Sequence, residues 1–456
     1  MTTATRRQVA PGPGRWTAVT EMFRMQSNPA ENITVMMREY GEIVRYYLGP
    51  YRVHFLGNPE GIQYVLQENN RNYRKSEFYE GLVPVLGRGL VTSDGDLWRR
   101  QRRVIQPAFQ RERIAGMLGL FTRETRATMN ELDRIAASTN TSTTVDVARL
   151  MMKLTFDIIG KALFTTDISG VSDEVYEAVG ISQQEAFHRA LSPVRLPLRW
   201  PTPHNRRYRD AVRVIDRLVH RLIAERHAMA AEERPRDLLH MLLETRYEDG
   251  SSMPDELVRD EAVTALGAGH ETTANALTWT LYLLSQNPDQ AERLREECRS
   301  VLGDRPPTAE DLPRLEYAER VLKEGMRLYP PAWIIERNTL ADDEILGYHI
   351  PKNTIVSMPQ YVVHRDPNYW ENPERFDPDR FLPERSEGRP RFAYFPFGGG
   401  QRMCIGEHFA MLEARVILVM LAGRYEFRLK VDHPVETEPL VTLRPKYGLP
   451  MHVRRL

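Results

Sequence analysis

The run Phe397-Gly398-Gly399-Gly400-Gln401-Arg402-Met403-Cys404-Ile405-Gly406 sets a single cysteine in a glycine-rich bend just ahead of an apolar helical pattern. A thiol there meets free backbone N–H groups and the positive end of the helix dipole, both of which lower its pKa, and Arg402 adds a positive charge nearby. Glycines remove the Cβ atoms that would hold a flat, bulky group away from the backbone. Together these features suit a lone thiolate holding a metal in a planar macrocycle. A structural zinc site fails on ligand count, because no second cysteine lies near Cys404. A dinucleotide loop fails on spacing, because Met403 stands where a third glycine is needed. Cysteine catalysis with His408 as base stays open, as does a buried cysteine in a tight turn.

Other segments carry chemistry of their own. In AVTALGAGHETTANALTW, Glu271 and Thr272 put an acid beside a hydroxyl within a helical pattern. Gly267 and Gly269 each weaken that helix by about 1 kcal/mol and its threonines compete for backbone carbonyls, so a local distortion is expected. His270 belongs to HETT rather than H-E-x-x-H and is read as structural. Glu324 and Arg327 are spaced to pair across one helical turn, and Trp98 and Arg102 share another helix. The HRDP at His364 lacks the companion motifs of a kinase loop and is set aside.

These groups need a mostly helical frame. The strand-like runs IVRYYLG and YRVHFLG flank Gly49-Pro50, helical spacing runs from Asp94 to about Gly303, and strand-like and Pro-rich segments follow Pro330 up to a last helix, GEHFAMLEARVILVMLAG. One stretch, Leu191 to Tyr208, has prolines spaced through it and reads as a long loop. Residues 1–14 read as a flexible lead-in. The chain has 456 residues, with 62 Lys+Arg against 62 Asp+Glu, so no global field exists to hold a nucleic acid. Two cysteines, Cys298 and Cys404, cannot form a disulfide framework, which suggests a cytoplasmic setting, and no run is apolar enough for a signal peptide or membrane anchor.

In order and separation, these motifs resemble the cytochrome P-450 superfamily over nearly the whole chain: GDLWRRQRR, Ala268-Gly-His-Glu-Thr-Thr273, Glu324-Gly-Met-Arg327, Pro378-Asp-Arg380-Phe381 and the cysteine loop. The resemblance implies one domain over 15–456, mainly α with small β-sheets, in which haem b lies between a long central helix and the helix after the cysteine loop. The β-rich part would cover about 40–60, 333–360 and the C-terminal strands, and the helical part about 94–330 and 406–423. Cys404 would be the axial ligand, a thiolate that favours O–O cleavage. Trp98, Arg102, Arg337, Phe397, Gly398, Arg402 and Gly406 would bind the haem, and Glu271 and Thr272 would relay protons. Glu324, Arg327 and Arg380 would form a buried scaffold behind the cysteine loop.

By position in the family pattern, Phe78, Tyr79, Leu82, Leu90, Val91, Ala265, Ala268, Ala332, Trp333, Ile334 and Val441 would line the substrate pocket. Nearly all are apolar, which favours a greasy substrate. AGHETT, RLYPPAWI and TLRPKYGLP are most similar to soluble bacterial hydroxylases of long-chain fatty acids and of carotenoids or other terpenoids. The expected activity is therefore monooxygenation by a monomer, with electrons from a ferredoxin or flavodoxin and its NAD(P)H reductase. Arg99, Arg100, Arg103, Arg111 and Arg113 would form the docking face. Peroxide-driven or non-oxygenating chemistry, a haem-binding sensor without turnover, and a haem-free scaffold with a reactive Cys404 are the alternatives.

Overall fold

The computed structural model describes residues 8–14, 25, 28–138, 143–166, 170, 172–191, 196–247 and 250–456. Strands β1 (Ile43–Leu48) and β2 (Tyr51–Leu56) pair antiparallel across Gly49, whose φ of 57° lies in the left-handed region that favours glycine. Strand β3 (Tyr73–Lys75) lies at the far edge of the same sheet. A fourth strand, β4 (Thr143–Asp146), interrupts the region expected to be helical. Strands β5 (Ile335–Thr339), β6 (Asp343–Ile345), β7 (Tyr348–Ile350) and β8 (Ile355–Met358) follow the helical part. The main sheet runs β1-β2-β8-β5-β3, and β6 pairs with β7. Near the C-terminus, β9 (Tyr425–Leu429), β10 (Thr437–Pro439), β11 (Leu443–Pro445) and β12 (Pro450–Arg455) complete a β4-β12-β9 sheet and a β10–β11 hairpin.

Among the described residues, the helices of eleven or more residues are α1 (Pro29–Tyr40), α2 (Gly95–Ile105), α3 (Leu118–Ser138), α4 (Val147–Phe164), α5 (Ser172–Leu191), α6 (Pro203–Ala228), α7 (Asp255–Gln286), α8 (Pro288–Leu302), α9 (Glu316–Leu328) and α10 (Glu407–Ala422). Most residues of α7 are buried, so it forms the axis of the helical core. Helix α4 packs closely on it at Gly269, where an added Cβ would stand 2.6 Å from Ile159 Cδ1. Helix α10 is apolar on nearly every side and packs against α3, α7 and α9.

Three expectations need correction. The stretch Leu191–Tyr208 is not loop to its end, because Pro203 occupies the first turn of α6 and Thr202 caps it by accepting from Asn205 N at 3.1 Å. Helix α7 runs unbroken through Gly267–Thr273. Thr272 and Thr273 donate to the carbonyls of Ala268 and Gly269 one turn back, and the helix continues through them. Finally, residues 8–14 are docked rather than loose: Arg45 N donates to Pro11 O at 2.7 Å, His349 N donates to Gln8 O at 2.8 Å, and Ala10 is buried. Residues 1–7 of that lead-in lie outside the described residues.

Candidate functional site

The cysteine loop takes its shape from glycines and from a neighbouring turn of helix. Gly398 and Gly400 have φ of 73° and 68°, and a Cβ on Gly400 would fall 1.9 Å from Leu66 O. Cys404 N closes the bend by donating to Phe397 O at 2.9 Å, and Arg102 Nη1 donates to Met403 O at 2.9 Å. Gly406 then caps α10. Cys404 is accessible to solvent, yet the fold encloses it so fully that burial pushes its thiol pKa up. The side chain therefore faces an interior cleft. N–H groups of Gly406 and Glu407 and the charge of Arg102 pull the other way without winning. This corrects the expected lowering of the thiol pKa. Arg402 is not among the groups that act on the thiol.

Arg402 pairs with Asp94 and lies 4.5 Å over the ring of Trp98, while its Nη1 is buried without a hydrogen-bond partner among the described residues. Asp94 caps α2 through Gly95 N and also accepts from Lys75 N at 2.7 Å. Lys75 stands directly across the sheet from Arg337. Burial, then Arg402 and Arg337, hold the Lys75 pKa well below the ordinary lysine range. Burial likewise lowers Arg337, whose Nη1 donates to Glu336 O at 2.8 Å. A cavity of about 350 Å³ opens here, lined by Tyr73, Arg74, Asp94, Trp98, Arg337 and Arg402 among others. Buried Arg337 and half-buried Arg402, with Arg71, Arg74 and Arg99 in the same lining, thus face one carboxylate, Asp94, an imbalance that favours an anionic guest. Sequence reasoning missed Lys75, because its meaning lies in its cross-strand register with Arg337.

On α7, Ala268 is exposed in mid-helix between buried Leu266 and His270, so it too faces interior space, and Thr272 lies half-buried one turn on. Thr272 Oγ1 donates to Ala268 O at 2.8 Å. Glu271 turns to another side: its Oε1 accepts from Thr442 Oγ1 at 2.5 Å and its Oε2 from Gln183 Nε2. Burial pushes its carboxyl up to about 7. His270 is held by its own helix, with Nδ1 2.6 Å from Leu266 O and its ring against Phe156. Phe78, Leu82, Trp333 and Val441 meet in a separate apolar cavity of about 170 Å³, with Tyr79 and Ile334. Leu90, Val91, Ala265, Ala268 and Ala332 do not line it.

Behind the loop, Glu324 accepts from Arg327 at 2.6 and 2.8 Å and from Arg380 at 3.3 Å, all three being buried. Arg327 also donates to His364 O at 2.9 Å, and His364 Nε2 accepts from Phe395 N at 3.0 Å, tying this network to the cysteine loop. His364 is therefore a structural residue of the network, which its HRDP setting gave no means of reading.

The segment Gly87–Ser93 is clasped by polar groups. Leu90 N donates to Glu261 Oε2 at 3.1 Å, Gln101 donates to Arg88 O at 2.6 Å, and Lys75 Nζ donates to Leu90 O and Val91 O at 2.7 and 2.6 Å. Burial raises the Glu261 pKa from its ordinary 4.5 to about 8. The folded state then keeps a proton that the unfolded chain releases, so stability declines as pH rises from about 4.5 to 8. Glu261→Gln removes that decline, and its melting temperature gains on the parent's across this interval. Parallel melting curves against pH would contradict it.

The family model "Cytochrome P450" matches residues 10–451 of the chain. The chain is 37% identical over 405 residues to cyclooctatin synthase of Streptomyces melanosporofaciens, covering 89% of this chain and 87% of that protein. It is 35% identical over 391 residues to cyclooctat-9-en-7-ol 5-monooxygenase of the same organism, covering 85% and 83%. It is 32% identical over 445 residues to pentalenene oxygenase of Streptomyces avermitilis, covering 97% and 95%.

Proposed function

The chain belongs to the cytochrome P450 family and is a monooxygenase of that family, and from that premise we propose that it hydroxylates a terpenoid, or the related carotenoid or long-chain fatty-acid class, using haem b ligated by the Cys404 thiolate. The observation that carries the cofactor assignment is the cation-rich cavity. Arg71, Arg74, Arg99, Arg337 and Arg402 outnumber Asp94 in its lining, and the spare Nη1 of Arg402 is a buried donor suited to a carboxylate. The residues present thus fit a flat group with two carboxylates and a metal seeking one soft ligand. Bound haem supplies the activation of dioxygen.

The chain's own residues supply positioning, exclusion of water and protons. Trp98 and Arg402 form one wall, Gly398 and Gly406 put no Cβ beside the loop, and Phe397 would pack against the group from the loop's start. Thr272 Oγ1 is the hydroxyl one turn from the accessible Ala268, and Glu271, its carboxyl pushed up to about 7, would have to leave Thr442 and Gln183 to restore its proton. Thr272→Ala should cut coupled product formation by about 100-fold while NAD(P)H consumption continues, with Thr272→Ser largely restoring coupling. Full coupling in the alanine variant would remove the relay.

The apolar cavity at Phe78, Leu82, Trp333 and Val441 supports a hydrophobic substrate, as do relatives whose names specify pentalenene and cyclooctat-9-en-7-ol. We assign electron supply to a separate ferredoxin or flavodoxin with its NAD(P)H reductase, meeting the face where Arg99 pairs with Asp96, Arg100 overlies Tyr247, and Arg111 donates to His408. No helix among the described residues is long and apolar enough to cross a membrane. A monomer in the cytoplasm completes the reading. The absorption spectrum of the reduced protein with carbon monoxide, followed by titration with terpenoids and fatty acids, tests it: a strongly red-shifted Soret band and a low-to-high-spin shift are expected. A spectrum typical of histidine ligation would overturn it.

A further inference from the structure

Adjacent residues of β5 face different cavities. Arg337 lines the cation-rich one and Glu336 the apolar one, as the two-residue alternation of a strand requires. Among the described residues, Glu336 is the only charged side chain lining the apolar cavity. Its two oxygens are held in place: Oε2 accepts from Ser76 Oγ at 2.9 Å, and Oε1 accepts from Ser357 Oγ, its cross-strand partner, at 3.2 Å. A carboxylate offers about four acceptor sites, so acceptor capacity remains beyond the two serine bonds. Apart from Ser357 and the hydroxyls of Tyr46 and Tyr79, the rest of the wall is apolar, including Phe78, Leu82, Phe187 and Trp333. Trp333 Nε1 is itself committed to Leu440 O at 2.8 Å.

We propose that Glu336 is a specificity-determining residue that hydrogen-bonds a hydroxyl already present on the terpenoid substrate, so that the enzyme takes an alcohol in preference to the parent hydrocarbon. This rests on the terpenoid reading given above. Burial pushes the Glu336 carboxyl up to about 7, so both protonation states are available near neutrality. A hydroxyl fits both, donating to the carboxylate and accepting from the acid. An ammonium fits only the first and a ketone only the second. The cavity of about 170 Å³ is smaller than most ligand pockets and suits one end of a larger molecule. An anchored hydroxyl would then fix which distant carbon is oxidised. A reaction that installs a hydroxyl must therefore come first.

Calorimetric binding to the holoenzyme, using farnesene, farnesol and farnesylamine, tests the anchor without turnover. Farnesol should bind about ten-fold more tightly than farnesene to the parent, as one buried hydrogen bond warrants. Glu336→Ala should abolish that preference, and Glu336→Gln, which keeps a donor and an acceptor, should retain most of it. Equal preference in the parent and both variants, or a parent preference for farnesylamine, would overturn the anchor and leave the monooxygenase reading standing. If none of the three binds the parent, the terpenoid reading itself falls and the anchor with it. Retention of haem and of the circular dichroism spectrum in the glutamine variant guards against an effect of misfolding.

Discussion

Cys404→Ser abolishes the red-shifted Soret band of the carbon monoxide complex and lowers product formation by more than about 100-fold. Loss of a partner one shell beyond a metal ligand typically costs 10- to 100-fold, so loss of the ligand itself should cost more. The exchange changes one atom in a bend whose shape is set by other groups. Gly398 and Gly400 hold the positive φ angles, Phe397 O accepts from the backbone of residue 404, and Arg102 grips Met403 O. The circular dichroism spectrum should therefore be unchanged. Cys298 cannot substitute, since it is buried on α8 with its thiol pushed up to about 12. A variant that kept the shifted band would end the thiolate assignment.

Glu324→Ala should be the most damaging change away from the cleft, costing about 3–5 kcal/mol in urea unfolding, together with loss of haem on purification. It leaves two guanidinium groups in the interior, because Arg327 and Arg380 are both almost wholly buried. Arg327 would keep its bonds to His364 O, Pro373 O and Arg375 O, but these are neutral acceptors. Asp377 N, which donates to Glu324 Oε1 at 2.9 Å, would lose its partner as well. Since His364 links this network to Phe395, the disturbance should reach the cysteine loop. Replacing Glu324, Arg327 and Arg380 together by apolar residues of similar volume should recover part of the stability, since no charge is then stranded. A single-variant cost below about 1 kcal/mol would show that solvent reaches the cluster and that its ions are worth no more than a surface pair.

Features that act locally were legible in the sequence. The β1–β2 hairpin follows from alternating residues around Gly49, and the last helix from an apolar run after the glycine-rich bend. The cysteine loop stood out because its glycines and its thiol each have a chemical reason to be there. Features that depend on distant partners did not stand out. Strand β4 is four residues long and finds its sheet only through β12, close to the end of the chain. Lys75 gains meaning from Arg337 across the sheet, and Glu336 from Ser76 and Ser357. The thiol pKa moved opposite to the local expectation because enclosure by the whole fold outweighs the helix terminus. Pro203 was misread for a smaller reason: proline breaks a helix in its interior but begins one at its first turn.

The division of labour along β5 also limits how this protein can change in length. Inserting or deleting one residue between Ile335 and Arg337 would turn each later side chain to the opposite face of the sheet. The guanidinium of Arg337 would then enter the apolar chamber, and the cation cluster would lose a member in the same event. No single substitution does both. Two-residue changes preserve the parity, so lineages of this chain should tolerate even shifts in β5 far better than odd ones.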